Sequence, residues 1–255
     1  CRDAAMYRTH HRHRVAIRGD SREELLGSLR AFSEGLRDSP GLHLSPEPSE
    51  ARKLLFVYTG MGPQWWAMGR QLIASEPVYR AAVEECDAIF RELAGWSIAE
   101  ELARDEASSR ITRTEVAQPA NAVVQVALTK LWASWGIHPD AVVGHSIGEV
   151  GSAWASGALS LRDALTVAFH RSRLQARLAG KGAMLAVGLS PDEARAWVER
   201  YGPGVAVAAI NSATSVTLAG EQPGLERIAA ELAMEGRFHR FLQVEVPYHS
   251  PLMDE

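Results

Sequence analysis

Apolar positions along the chain change spacing three times, and each change marks a different kind of element. Leu25, Leu26, Leu29 and Phe32 recur at the spacing of one helix face. Ser21 followed by Glu24 predicts a capping box at the start of that helix, and Gly35 predicts its stop. From Ser39 to Lys53 the sequence SPGLHLSPEPSEARK is dense in Pro and Ser and predicts a linker. At Leu54 a new unit begins. LLFVYTG predicts a short buried strand that runs into the loop Gly60-Met61-Gly62-Pro63-Gln64. Helical spacing fills about 64 to 135 and ends near Gly136. Ala141-Val142-Val143 predicts a second buried strand, Ile147 to Ser156 a helix stopped at Gly157, and Ser160 with Asp163 the start of another helix that runs to about Ala179.

After Gly182 the pattern changes again. MLAVGL predicts a strand, and Ser190-Pro-Asp-Glu193 caps a helix through Tyr201. VAVAAI and SVTLAG predict two strands with Asn211 between them. GLERIAAELAMEG predicts a helix and FHRFLQVEV a last strand. The order βαββαβ is the ferredoxin-like arrangement, so this stretch is expected to form a small inserted subdomain.

Composition removes several classes of function. The chain has 255 residues, 46% of them hydrophobic, with a formal net charge of -4. Five Arg and three His crowd into residues 1–18, but the basic character ends there, which favours a solvated linker strand over a nucleic-acid arm. No apolar run reaches the roughly 18 to 20 residues of a membrane span, and the polar start is unlike a signal peptide. Two cysteines, Cys1 and Cys86, form no framework, so the expected setting is reducing and cytoplasmic. The His-rich start, His10-His11-Arg12-His13, lacks paired Cys or carboxylates at ligand spacing, and no metal site is expected. The first residue is not Met and the last segment, HSPLMDE, has no closing pattern; a piece of a longer polypeptide is expected.

The candidate chemistry centres on VVGHSIGEV. A strand, then Gly144-His145-Ser146-Ile147-Gly148, then a helix is a nucleophile elbow. The sharp turn puts Ser146 in a strained backbone, and glycines two positions away on each side avoid collision. The hydroxyl then stands at a helix N-terminus, where the dipole and free N–H groups favour developing negative charge. The Ile147 N–H is expected to face an oxyanion. A serine nucleophile needs a base. Of nine His, His249 in the loop VPYHSPLM is the best placed, with no evident orienting partner. Arg171 falls at the margin of the apolar face of its helix, beside Ala164. It reads either as a snorkelling surface arginine or as a two-point clamp for a carboxylate.

These residues together resemble the malonyl-type acyltransferase domain of polyketide synthases and type I fatty acid synthases. The resemblance is carried by FVYTGMGPQW, QPANAVVQVAL, GHSIGEV, HRSRLQ, INSATSVTLAG and VPYHSPLM, in that family's order. It implies an α/β-hydrolase-like core with a short parallel sheet over 53–182 and 246–255. It also implies an inserted ferredoxin-like subdomain over 183–245 and, over 1–52, part of the linker from a ketosynthase. By the same resemblance Ser146 carries the acyl group, His249 is the general base and Arg171 pairs with the free carboxylate of malonyl. The loop at Met61 matches the other half of the oxyanion hole; Met stands where the family usually has Gln, but the contributing group is the backbone N–H. Gln64, His145, Ile147, Asn211 and Tyr248 are implied to lie around the substrate.

The implied reaction runs in two halves, from acyl-CoA to Ser146 and from Ser146 to the phosphopantetheine thiol of an acyl carrier protein, with no permanently bound cofactor. The implied partners are that carrier protein and an adjacent ketosynthase within a homodimeric synthase. Val246-Pro247-Tyr248-His249 matches neither the HAFH nor the YASH pattern that the family associates with malonyl and methylmalonyl. Ile147 leans towards malonyl; another extender unit stays open. The alternatives are a serine hydrolase such as a thioesterase, for which Asp163 and Asp192 are the aspartates between Ser146 and His249, each explained by capping a helix start, and a silent structural domain.

Overall fold

Leu42, His43 and Leu44 lie inside the Pro- and Ser-rich stretch, yet they form a strand. In the computed structural model, which describes residues 11, 13–44 and 53–254, β1 (Val15–Ile17) pairs antiparallel with β2 (Leu42–Leu44). The alternation of Leu42 and Leu44 about His43 overrides the flanking turn residues, so the predicted linker is shortened at its start; the rest of it, residues 45–52, lies outside the described residues. The helix α1 (Arg22–Ser33) starts at Ser21, whose hydroxyl accepts from Glu24 N–H. The reciprocal half of the predicted box is displaced by one residue, because Glu24 accepts from Asp20 N–H instead. These elements belong to the unit Cys1–Lys53; all that follows belongs to Leu54–Glu255.

In the larger unit, β3 (Leu55–Tyr58) and β4 (Ala141–Gly144) form a two-stranded parallel sheet. Between them run α2 (Arg70–Ser75), α3 (Pro77–Ala94), α4 (Ile98–Ala103) and α5 (Thr114–Ser134). The helix α6 (Gly148–Ala155) follows β4, and α7 (Leu161–Gln175) follows α6 and ends in a 3₁₀ turn, Ala176–Leu178. Tyr79, Phe90, Val116, Val123 and Leu165 make one core where α3, α5 and α7 meet. The two strands depart from the buried strands expected. Leu55, Val57 and Val143 are 52%, 63% and 46% exposed, because the helices cover one face of the pair and no described residue covers the other. Tyr58, on the covered face, is anchored to Thr129 of α5 by a hydroxyl–hydroxyl bond of 2.8 Å.

The second layer holds β5 (Ala183–Val187), α8 (Pro191–Tyr201), β6 (Val205–Ser212), β7 (Ser215–Gly220), α9 (Gln222–Met234) and β8 (His239–Phe241). Its sheet order is β6-β7-β5-β8, antiparallel throughout, as the ferredoxin-like arrangement requires. Ser190 and Glu193 form a complete capping box at α8. Leu185, Leu218, Leu225, Ile228 and Leu232 pack this layer's own core. Two details differ from expectation. Asn211 lies within β6, and the hairpin turns one step later, where Ser212 pairs with Ser215. The last strand stops at Phe241, and the chain from 242 to 250 crosses in irregular form to the site. No helix among the described residues is long and apolar enough to cross a membrane.

Candidate active site

The elbow is set by contacts around its glycines. A Cβ on Gly144 would stand 2.4 Å from the Cα of Glu149, and one on Gly148 would stand 2.0 Å from the carbonyl oxygen of Tyr58. Only hydrogen fits at either place, so the helix α6 packs directly on the ends of both strands. Ser146 between them has φ 54, in the left-handed region. Its hydroxyl projects from the N-terminal end of α6. The N–H groups of Ile147 and Met61 have no hydrogen-bond acceptor among the described residues; Ile147 directly follows Ser146, and Met61 lines the same cleft as Ser146. The Met61 sulfur accepts from Asn121 Nδ2 at 3.9 Å, which holds the loop against α5.

His249 reaches the same hydroxyl. Its Nε2 lies 2.9 Å from Ser146 Oγ. Arg171 Nη2 donates to Ser146 Oγ at 3.1 Å, and Arg171 Nη1 donates to Gln118 Oε1. The serine hydroxyl therefore accepts a charge-assisted hydrogen bond from a guanidinium and is free to donate to a neutral imidazole. Burial pushes the His249 pKa down from its ordinary value of 6.5; the neighbouring Arg171 and His145 push the same way, and Glu149 opposes them. The shift favours the neutral imidazole, the form that can accept a proton. Burial also lowers the Arg171 pKa, but a guanidinium remains a cation at any working pH. Arg171 makes no ion pair among the described residues.

The cleft in front of these groups has a volume of about 300 Å³. Met61, His145, Ser146, Tyr248 and His249 form its reactive side, and Met184, Ala186, Ala209, Asn211 and Thr217 of the antiparallel sheet form the opposite wall. Asn211 Nδ2 donates to Thr217 Oγ1 at 3.0 Å, which fixes its amide in that wall. Gln64 behaves otherwise than expected of a substrate-binding side chain. Its Oε1 accepts from Gly62 N–H at 2.7 Å, closing the loop on itself, and it does not line the cleft. Ile147 is fully buried and does not line the cleft; its side chain packs with Ala122, Val150, Ala164 and Ala168 and so supports the elbow. Among the described residues no group of three His, Cys, Asp or Glu side chains is arranged to hold a metal.

Gln118 was not singled out by sequence reasoning. It is buried on α5, accepts from Arg171 and donates from Nε2 to Gln175 Oε1 at 2.7 Å. A glutamine directly before the internal Pro119 in an otherwise apolar helix was the available signal. Asp163 and Asp192, the acids weighed for a hydrolase triad, are engaged at helix starts: Asp163 with the Ser160 hydroxyl and Asp192 with Arg195.

Comparison with known proteins identifies the family. Residues 55–255 match the acyl transferase domain family, and the chain belongs to it. A highly reducing polyketide synthase from Leptosphaeria maculans, pks5, is 44% identical over 79% of this chain and 8% of its own length. Erythronolide synthase EryA2 of Saccharopolyspora erythraea is 34% identical over 98% of the chain and 7% of its own length. The chain thus spans less than a tenth of these polyketide synthases. Among solved structures, the acyltransferase domain from the second module of the salinomycin polyketide synthase superposes with a TM-score of 0.85 at 39% identity, covering 99% of this chain and 58% of that one. The malonyl-CoA:ACP transacylase of Synechocystis sp. PCC 6803 gives 0.67 at 28% identity, over 80% of this chain and 66% of that one. The chain is an acyltransferase domain of the polyketide synthase kind, with an α/β-hydrolase-like core and a ferredoxin-like subdomain.

Proposed function

We propose that this acyltransferase moves a malonyl-type unit from coenzyme A to Ser146 and from Ser146 to the phosphopantetheine thiol of an acyl carrier protein. The observation that carries the reading is a half-buried Arg171, without a carboxylate partner among the described residues, 3.1 Å from the reacting hydroxyl. A cation held at that distance from the ester is a receptor for an acid group on the far end of the acyl chain.

In the first half-reaction Ser146 Oγ attacks the thioester carbonyl and its proton passes to His249 Nε2. The oxyanion is met by the N–H groups of Met61 and Ile147, each contributing roughly 10²- to 10³-fold in rate. The C–S bond breaks, and CoA leaves with the proton from His249. In the second half, His249 takes the proton of the incoming thiol, the sulfur attacks the ester, and Ser146 leaves as the hydroxyl once the imidazolium returns the proton. Malonyl is favoured as the unit because Arg171 offers a cation to a free carboxylate and the residue after Ser146 is the aliphatic Ile147, as in the malonyl-type members that the sequence resembles. A cytoplasmic domain beside a ketosynthase in a homodimeric parent is the setting in which this reaction serves chain extension.

The test is the mass of the protein after exposure to a panel of CoA esters. A gain of one malonyl group on Ser146, absent in Ser146→Ala, followed by transfer to a carrier protein, is the result expected. Steady release of free acid without preference for a thiol would make the protein a hydrolase, and no gain from any ester would make it a scaffold.

A further inference from the structure

We propose that Thr114, which touches neither the substrate cleft nor Ser146, is the positioning residue for His249. It grips the loop that bears the base at two points. The side chain of Thr114 is only 1% exposed, and its Oγ1 is 2.6 Å from the hydroxyl of Tyr248, the residue before His249. Its backbone N–H donates to Glu245 Oε2 at 2.9 Å. Arg113, at the N-cap of α5, offers no side-chain cap. A carboxylate from 131 residues away fills that place at the positive end of the helix.

The loop needs such a grip. His249 has φ 57, a backbone region that costs a residue with a side chain roughly 1 to 2 kcal/mol. Strain of this kind persists only where the surroundings over-determine it. Beyond Leu242, whose N–H donates to Met184 O at 2.9 Å, the chain up to residue 250 pairs with no strand. Its hydrogen bonds there to the rest of the chain include Gly180 N–H to Glu245 O at 2.9 Å, His249 Nε2 to Ser146 Oγ at 2.9 Å and the two bonds to Thr114, with the Ser250 hydroxyl to Pro247 O at 2.7 Å inside it.

The same helix face sets the clamp. Gln118 lies one turn beyond Thr114, and residues four apart share a face. Thr114 holds the Tyr248–His249 segment, and Gln118 holds Arg171. Two turns of α5 therefore fix the base and the guanidinium relative to each other. The charged or titratable groups that face His249 are Arg171 from α7, His145 from the elbow and Glu149 from α6. Thr114 carries no charge, so replacing it changes the titration of His249 only by moving the ring.

The inference rests on the reading of His249 as the base, and the experiment separates the two. Titrate the His249 ring by NMR in this chain, in Thr114→Val, in Thr114→Ser and in Tyr248→Phe, and measure acylation of Ser146 by malonyl-CoA in each. Thr114→Val and Tyr248→Phe are expected to move the titration up towards the ordinary imidazole value and to slow acylation about tenfold in kcat, with KM little changed. Thr114→Ser, which keeps the hydroxyl, is expected to restore both. A folded Thr114→Val, or Tyr248→Phe if the former does not fold, with unshifted titration and acylation within twofold of the parent overturns the proposal. If the parent takes up no acyl group from any ester, the acyl-transfer reading fails, while the titration still decides whether Thr114 positions the ring.

Discussion

Ser146 and His249 meet across 2.9 Å with both backbones in the left-handed region, at φ 54 and φ 57. Each partner of this hydrogen bond is held in a conformation its residue type disfavours. His249→Gly is therefore expected to abolish acylation while leaving stability equal to the parent or higher by up to about 1 kcal/mol, since glycine adopts this backbone freely. Thermal unfolding beside the acylation assay checks it. A loss of stability matching that of a buried deletion would mean that the ring packs more than it strains.

Arg171→Ala is expected to slow malonyl transfer by about 10- to 150-fold, the range of a charged hydrogen bond worth roughly 1.5 to 3 kcal/mol, and to leave acetyl transfer far less affected. Equal losses with both esters would assign the guanidinium to holding Gln118 and the elbow rather than to a carboxylate.

The pH profile of acylation follows from the imidazole. Because His249 is pushed below 6.5, the neutral base persists into mildly acidic solution, and the acidic limb of kcat/KM is expected below pH 6.5. Glu149 pulls the other way, so Glu149→Gln is expected to move that limb further to acid. Stability has a matching sign. The unfolded chain takes up a proton near its ordinary value that the folded site resists, so this contribution is present above 6.5 and is lost as pH falls below it. A limb above 6.5 would contradict the assignment of the base.

Two glycines make a contrast. Gly148→Ala places a methyl 2.0 Å from the Tyr58 carbonyl and is expected to cost at least about 3 kcal/mol and the activity with it. Gly157→Ala, at φ +81 but with open space around it, is expected to cost about 1 kcal/mol and to keep activity. Denaturant titration of both variants measures the difference.

Met61→Gln is expected to change the acylation rate less than about threefold, because the group proposed to meet the oxyanion is the backbone N–H, which glutamine supplies equally, while the thioether packs at the cleft and on Asn121. A larger change would give the thioether itself a part in the cleft.

Local pattern made much of this legible. The elbow was readable because its glycines answer a steric need that the short stretch itself reveals, and the βαββαβ order was readable because alternation and capping are local signals. The misreadings have one cause: burial is decided by neighbours distant in sequence. Val57 and Val143 look like core residues, yet their outer face has no cover among the described residues. Leu42 looks like linker until Ile17 pairs with it. Gln64 was assigned to the substrate by resemblance, and only coordinates reveal that its amide closes its own loop. The tie from Thr114 to Tyr248 joins residues 134 apart in the chain, beyond the reach of any periodicity.

Ser146, His249 and Arg171 come from one layer with its crossing loop, whereas Met184, Ala186, Ala209 and Thr217 line the cleft from an independently packed sheet. The far wall and the groups proposed to react are thus housed in separate pieces of the architecture. Room in the cleft can therefore be changed by trimming or recontouring the sheet, leaving those three side chains untouched.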